Sequence, residues 1–238
     1  MATFLFDQII FGPVSSRRLG ASLGINLLPN DRKICTFNCI YCECGWTESH
    51  GSPSSFHPRE KIRENLKTRL EEMNQNNEPL DTITFAGNGE PTMHPDFDLV
   101  IQDTIGIRNQ YFPHAKIAVL SNASLIHKSK IYNALKRVDQ NILKIDSAFE
   151  PTARLLNQPY EGFDFQRTVD GLIKFNGKLI IQTMFIRGEY KGQHFDNTTK
   201  EEVDAWLDLL EKINPQQVMI YTIARDTPYE GIEKVSEA

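Results

Sequence analysis

From residue 22 to residue 223 the chain alternates short apolar runs with longer amphipathic stretches. "SLGINLL" (22–28), "DTITFAG" (81–87), "KIAVLSN" (116–122), "QNILKIDSA" (140–148), "KLIIQTMFI" (178–186) and "QQVMIYTI" (216–223) read as six strands. Five helical segments separate them, at 58–73, 95–108, 126–138, 163–176 and 199–213. In the first of these Ile62, Leu66 and Leu70 recur at a spacing of four among charged residues, which marks one buried face. Pro95 suits a first helical turn, and Thr198 or Thr199 caps the last helix with Glu201 or Glu202 three residues on. Strand and helix in strict alternation predict βαβ units and a parallel sheet, in the α/β class. Periodicity leaves two architectures open, a doubly wound sheet and a partial barrel. The stretches 48–60 and 187–200 read as loops, and neither divides the chain. We therefore expect one domain over 1–238, with an N-terminal extension (1–21) and a polar tail (224–238) that covers the barrel's open side or stays disordered.

The unusual residues fall after the strands. A cysteine loop follows the first, "GNGEPT" (87–92) the second, "SNAS" (121–124) the third, "DSAFE" (146–150) the fourth and Arg187 the fifth. Active sites of α/β folds gather at the carboxyl ends of parallel strands, so five such segments point to one shared site.

Composition narrows the chemistry. The chain has four cysteines, all within "ICTFNCIYCEC" (34–44), and a net charge of −5. No run of eighteen apolar residues suggests a membrane span, and "MATFLFDQIIFGP" lacks the basic start of a signal peptide, so a reducing cytoplasm is expected. There, clustered thiols are metal ligands or redox groups rather than disulfides, and a bridge inside so short a loop would fasten nothing distant. The acidic balance argues against bulk nucleic acid as the main partner. Cys35, Cys39 and Cys42 are spaced C-x3-C-x2-C. A structural zinc site wants two separated pairs of ligands, and no histidine pair or distant cysteine pair supplies the second. Three thiolates on a cubane iron–sulfur cluster leave one iron open to an outside ligand.

With the aromatic Tyr41 just before its last ligand, this loop resembles the C-x3-C-x-aromatic-C signature of the radical SAM superfamily. "GNGEP" (87–91) resembles that family's GGEP segment, with Asn88 inserted between the glycines or standing for one. The resemblance covers nearly the whole chain and implies a partial (β/α)6 TIM-like barrel with parallel strands. It implies a [4Fe–4S] cluster on Cys35, Cys39 and Cys42, whose fourth iron chelates the amino and carboxylate groups of S-adenosylmethionine. An electron from an external donor of flavodoxin or ferredoxin type then cleaves a carbon–sulfur bond. The resulting 5′-deoxyadenosyl radical abstracts hydrogen from a substrate that the sequence does not name.

Gly87, Gly89 and Glu90 suit the methionyl amine, which needs exposed carbonyls and a carboxylate. Ser121 and Asn122 occupy the place of the ribose contacts, or form an ordinary helix cap. Lys144 and Asp146 alternate on a strand and share a face, as an ion pair or as a contact to the cofactor. Gln182 and Met184 share a face of the fifth strand, with Met184 expected in the core. Arg187 is a candidate for the cofactor's carboxylate, and Tyr41 for a backbone contact near the adenine. Cys44 is surplus to a three-thiolate site, and with no other cysteines a second cluster has no ligands. Arg17 and Arg18 are candidates for an anionic substrate group, or are solvated charges. The upstream block (11–29) resembles bacterial iron–sulfur oxidoreductases grouped with the tRNA wyosine-synthesis enzymes. Three rival readings follow: modification of a tRNA base, with Arg17, Arg18, Lys61 and Arg63 as a basic mouth; activation of a glycyl-radical partner; and a non-catalytic iron–sulfur or zinc module.

Overall fold

The structure is a computed structural model that describes residues 4–47 and 56–235, so most of the loop expected at 48–60 lies outside the described residues. The chain opens with a hairpin, β1 (Ile10–Ser16) and β2 (Gly20–Ile25). Then come α1 (Arg59–Gln75), β3 (Thr82–Phe85), α2 (Phe97–Tyr111), β4 (Lys116–Ser121), α3 (Ser129–Leu135), β5 (Gln140–Lys144), α4 (Glu150–Asn157) and α5 (Phe165–Lys174). β6 (Ile180–Met184), β7 (Ile186–Tyr190), β8 (Gln193–Asp196), α6 (Lys200–Ile213), β9 (Gln217–Tyr221) and β10 (Ile232–Lys234) complete it.

The main sheet runs β1-β2-β3-β4-β5-β6-β9. β2 to β9 are all parallel, and β1 alone is antiparallel. The six parallel strands are the six the hydrophobic pattern predicts. Their order settles which α/β architecture forms. A doubly wound sheet reverses direction at a switch point, whereas here each new strand joins the same edge. With right-handed crossovers, single winding puts every helix on one face and leaves the other as a barrel interior. Successive helices do pack side by side, α1 on α2, α2 on α3 and α5 on α6. β1 and β9 are the two ends of the order and do not pair, so the barrel is partial.

Each face carries its own core. Ile83, Phe85, Ile117, Val119, Leu143 and Ile181 look outward and join Ile62, Leu66 and Leu70 of α1 in one large cluster. Ala118, Ile142, Ile180 and Met219, at alternate positions of the intervening strands, form a small inner cluster. This two-sided burial explains why the strands read as near-continuous apolar runs.

Five features differ from the sequence expectations, and one of them is α4, a helix where none was expected. The N-terminal extension contributes β1, whose pattern is broken by a register shift between Phe11 and Val14. The stretch 187–200, expected as a loop, forms the β7–β8 hairpin through Lys191 and Gly192, both at positive φ, as a tight two-residue turn requires. The expected strand 178–186 divides at Phe185 into β6 and the start of β7. The tail is not wholly irregular: β10 pairs antiparallel with β7 in a second, three-stranded sheet. Among the described residues no helix is long and apolar enough to cross a membrane.

Asn88 locks the N-terminal segment against the barrel. Its side chain is fully buried, accepts from Phe6 N–H at 2.8 Å, and donates to Phe6 O at 2.9 Å and Pro29 O at 2.8 Å. We expect Asn88→Ala to lower the free energy of unfolding in urea by about 3 kcal/mol, roughly 1 kcal/mol per lost bond. An unchanged unfolding midpoint would count against this role.

Candidate functional site

The cysteine loop has little regular structure and is held by its neighbours. On one side Ile34 forms an isolated parallel bridge with Gly89. Ile34 N–H donates to Asn88 O at 2.9 Å, and Glu90 N–H to Ile34 O at 3.1 Å. Gly89 has φ +136°, and a Cβ there would lie 1.8 Å from Ile34 O, so only glycine admits this approach. On the other side the loop is strapped to the end of α4. Asn38 and Ile40 N–H donate to the carbonyls of Asn157 and Leu156, each at 3.0 Å, and Tyr160 N–H donates to Thr36 O at 3.0 Å.

Between these straps lies a cavity of about 250 Å³ onto which all four cysteines face. The turn after β3 contributes Gly87, Gly89 and Glu90, and the end of β4 contributes Ser121 and Asn122. Tyr41, Lys144, Gln182 and Tyr221 complete the polar wall with Lys33. Most of the segments expected to converge therefore do so. Asp146 lies just behind, 1% exposed; it pairs with Lys144 Nζ at 2.8 Å and accepts from Tyr41 Oη and from Met184 N–H at 2.9 Å. The expected Lys144–Asp146 ion pair thus forms in the interior, and Met184 is buried beside it. Asn88 uses its side chain on the N-terminal segment, as above.

Arg187 is not brought to the site. It stands exposed on β7, and its Nε meets Glu233 of β10 at 3.0 Å. The physical reason is the break at Phe185, which turns the chain from the barrel into the second sheet. Arg17 and Arg18 sit on the β1–β2 turn and line, with Lys234, a cleft of about 1180 Å³. This cleft follows the seam of the partial barrel, where Arg18 donates to Ile220 O of β9 at 3.1 Å. Tyr221 lines both the cleft and the cysteine cavity. Lys61 and Arg63 lie on the exposed face of α1 and line neither.

The four thiols are not alike. Burial pushes the Cys35 thiol up, and Cys39 up to about 11 despite Lys144 and Lys33 nearby. Cys42 is drawn down to about 5, first by a hydrogen bond from Cys44 and then by Lys33, against its own burial. The same bond pushes Cys44 up and keeps it a proton donor; its Sγ also lies 3.5 Å from Gly87 O. The surplus cysteine lines the same cavity as the other three and lies close to Cys42. A single tetrahedral ion with zinc–sulfur bonds near 2.3 Å draws its thiolates to about 3.8 Å of one another. Among the described residues no group of three His, Cys, Asp or Glu side chains is gathered to hold one ion.

The radical SAM superfamily model matches residues 32–200, more than half of the chain and the part that carries this cavity. The chain belongs to the radical SAM superfamily. Within it, the chain is 31% identical to the UPF0026 protein of Helicobacter pylori, covering 96% of this chain and 70% of that one. It is 32% identical to the UPF0026 protein of Methanocaldococcus jannaschii, over 91% of this chain and 64% of that one. A protein of Brachyspira hyodysenteriae named GTPase Obg is 34% identical, but the match spans 96% of this chain and only 32% of that protein. Two solved structures share the fold. A radical SAM methyltransferase from Sphaerobacter thermophilus has a TM-score of 0.62 at 12% identity, over 90% of this chain and 59% of that one. TYW1 with a lysine-pyruvate adduct bound has a TM-score of 0.55 at 14% identity, over 88% and 67%.

Three residues at this cavity escape a reading of the sequence, Tyr221 of the polar wall, Asn157 and Lys33. Asn157 at the end of α4 accepts from Cys39 Sγ at 3.2 Å, and its Oδ1 lies 2.9 Å from Tyr41 Oη. Its helix spans only eight residues, and Pro151 at its start was the available signal. Lys33, two residues before Cys35, is 5% exposed and donates to Gly45 O at 2.9 Å. A lysine beside a loop reads as solvated, and only the fold reveals its burial.

Glu90 carries a testable signature. Its carboxylate accepts from Ser121 Oγ at 2.8 Å, Asn122 N–H at 2.7 Å, and the hydroxyl and N–H of Thr92. Burial nevertheless raises its pKa above the ordinary 4.5, outweighing the four donors. The folded carboxyl thus holds its proton more tightly than the unfolded one. Its contribution to stability is complete below 4.5 and is lost as pH rises through the folded value. In the protein without added ligands, the urea midpoint of wild type should therefore fall more than that of Glu90→Gln between about pH 5 and about pH 8. Parallel pH profiles would contradict this.

Proposed function

We propose that this chain is a radical SAM enzyme that holds one [4Fe–4S] cluster on Cys35, Cys39 and Cys42 and binds S-adenosylmethionine beside it. The convergence of three thiols and the Glu90 turn on one cavity, joined by the Ile34–Gly89 bridge, carries the reading. The donor set fits the cluster: three thiolate ligands, a fourth thiol close to Cys42, and N–H groups of Phe37 and Asn122 directed at Cys35 Sγ at 3.4 and 3.5 Å. When bound, the pair supplies one-electron cleavage of a carbon–sulfur bond and a carbon radical able to abstract hydrogen, fed by an external flavodoxin- or ferredoxin-type donor.

The protein's part is to bind, orient and exclude water. Among the described residues Glu90 Oε2 accepts only from Asn122 N–H, which leaves lone pairs for an ammonium, while Gly87 and its neighbours present carbonyls. Ser121 and Asn122, beside Glu90, and Gln182 offer donors and acceptors to hydroxyl and ring nitrogen groups. Tyr41 and Asp146 act through position: their contacts with Lys144, Asn157 and each other fix the cysteine-loop floor. Arg187 has no part in this reading. The substrate, whose identity is open, reaches the site along the seam cleft, past Tyr221.

Anaerobic reconstitution with iron and sulfide should give a brown protein that releases 5′-deoxyadenosine and methionine from S-adenosylmethionine when dithionite is added. Cys39→Ala should reduce that release to background. A loaded wild-type protein that yields no 5′-deoxyadenosine would instead favour a non-catalytic iron–sulfur module.

A second reading, modification of a base in tRNA, is supported by the cations on the seam. The side chains of Arg17 and Lys234 form no ion pair or hydrogen bond among the described residues, and no carboxylate of a described residue lines the cleft. It requires a tRNA gel shift that weakens with salt and with Arg17→Glu. No shift at low salt rules it out.

A further inference from the structure

Two lysines line the cysteine cavity, and their charges are satisfied in different ways. Lys144 meets the Asp146 carboxylate at 2.8 Å. Lys33 is equally withdrawn from water, at 5% exposure, yet among the described residues it forms no ion pair with a carboxylate. Its Nζ bonds the carbonyl of Gly45 at 2.9 Å. An ammonium removed from water with only a neutral carbonyl as partner is strongly unfavourable. Its counter-charge has to come from the cavity itself, whose lining includes Cys35, Cys39 and Cys42, three thiolates when a cluster is bound. The lysine also spans the loop, from two residues ahead of Cys35 to the carbonyl of Gly45, a residue whose own N–H donates to Cys42 O at 2.9 Å.

We propose that Lys33 is a positioning residue for the iron–sulfur cluster, whose fixed positive charge balances the thiolates and makes the cluster easier to reduce. The inference rests on the cluster reading given above. Its physics is that of a charge in a medium of low dielectric. Cluster potentials follow net charge, hydrogen bonding to the sulfurs and exposure, so a neighbouring cation stabilises the state that carries the additional electron. Hydrogen bonds to Cys35 Sγ act in the same direction. Lys144, neutralised by Asp146, offers much less of this effect.

Three variants separate the charge from the bond to Gly45. Lys33→Arg keeps charge and donor, Lys33→Gln keeps a donor without charge, and Lys33→Met removes both. Each would be reconstituted anaerobically, with iron content and circular dichroism recorded. The cluster midpoint potential would be read by redox titration followed by electron paramagnetic resonance, without S-adenosylmethionine. We expect the Gln and Met variants to shift to more negative potential and the Arg variant to stay near wild type. Failure of Lys33→Gln to hold a cluster, while Lys33→Arg holds one in an unchanged fold, would also support the role of charge. Equal potentials in all variants would overturn the proposal alone, as would loss of cluster in all three beside a loaded wild type. A wild-type protein that assembles no cluster would overturn the reading beneath it and this proposal with it.

Discussion

The site depends on a contact between two backbones, the bridge that joins Ile34 to Gly89. The cysteine loop satisfies only some of its own peptide groups, through turns such as Cys42 N–H to Cys39 O, and its remaining buried peptide groups need partners. The bridge supplies them from the turn that carries Glu90. In doing so it fixes the distance between sulfur ligands and carboxylate, which no side-chain contact could set as firmly. The absent Cβ at Gly89 is the condition for it. The second strap, from the end of α4, makes the same argument on the other side and adds Asn157 as a polar anchor for Cys39 and Tyr41. Chemistry-bearing residues from distant parts of the sequence are thus held by main-chain bonds, and their side chains remain available.

Charge is arranged with similar economy. The interior beneath the cavity contains Lys144, Asp146, Tyr41 and Asn157 in one connected network, each partnered, so that burial of the ions is tolerated. Lys144 Nζ also stands 4.4 Å from the centre of the Tyr41 ring. Glu90 is saturated on one oxygen and less so on the other. The cavity's polarity is therefore uneven, with a quiet floor and two charged groups, Glu90 and Lys33, facing inward.

What the sequence makes legible follows from how each element is stabilised. The six parallel strands are buried on both faces, so burial writes itself into their composition, and their alternation with helices gives the parallel pairing but not the strand order. The three cysteines and the Glu90 turn stand out because unusual residues recur after strands. The missed elements are stabilised otherwise. β1, β7, β8 and β10 are partly exposed, held by ladder bonds that any residue can form, and so leave little compositional trace. α4 follows directly on the segment after the fourth strand, and its value lies in backbone carbonyls, which no side-chain pattern encodes. Arg187 shows the converse. It follows a strand in sequence, but the chain leaves the barrel at Phe185, so proximity along the chain does not become proximity in space.

The unpaired ends of the sheet have a mechanical meaning. Across the gap between β1 and β9 the guanidinium of Arg18 reaches Ile220 O and lies over the Tyr221 ring at 5.2 Å. A side-chain latch of this kind yields at far lower cost than a ladder of peptide bonds. The barrel can therefore widen along this line while every parallel pairing stays intact, and Tyr221, the residue common to cleft and cavity, is the wall that such breathing displaces.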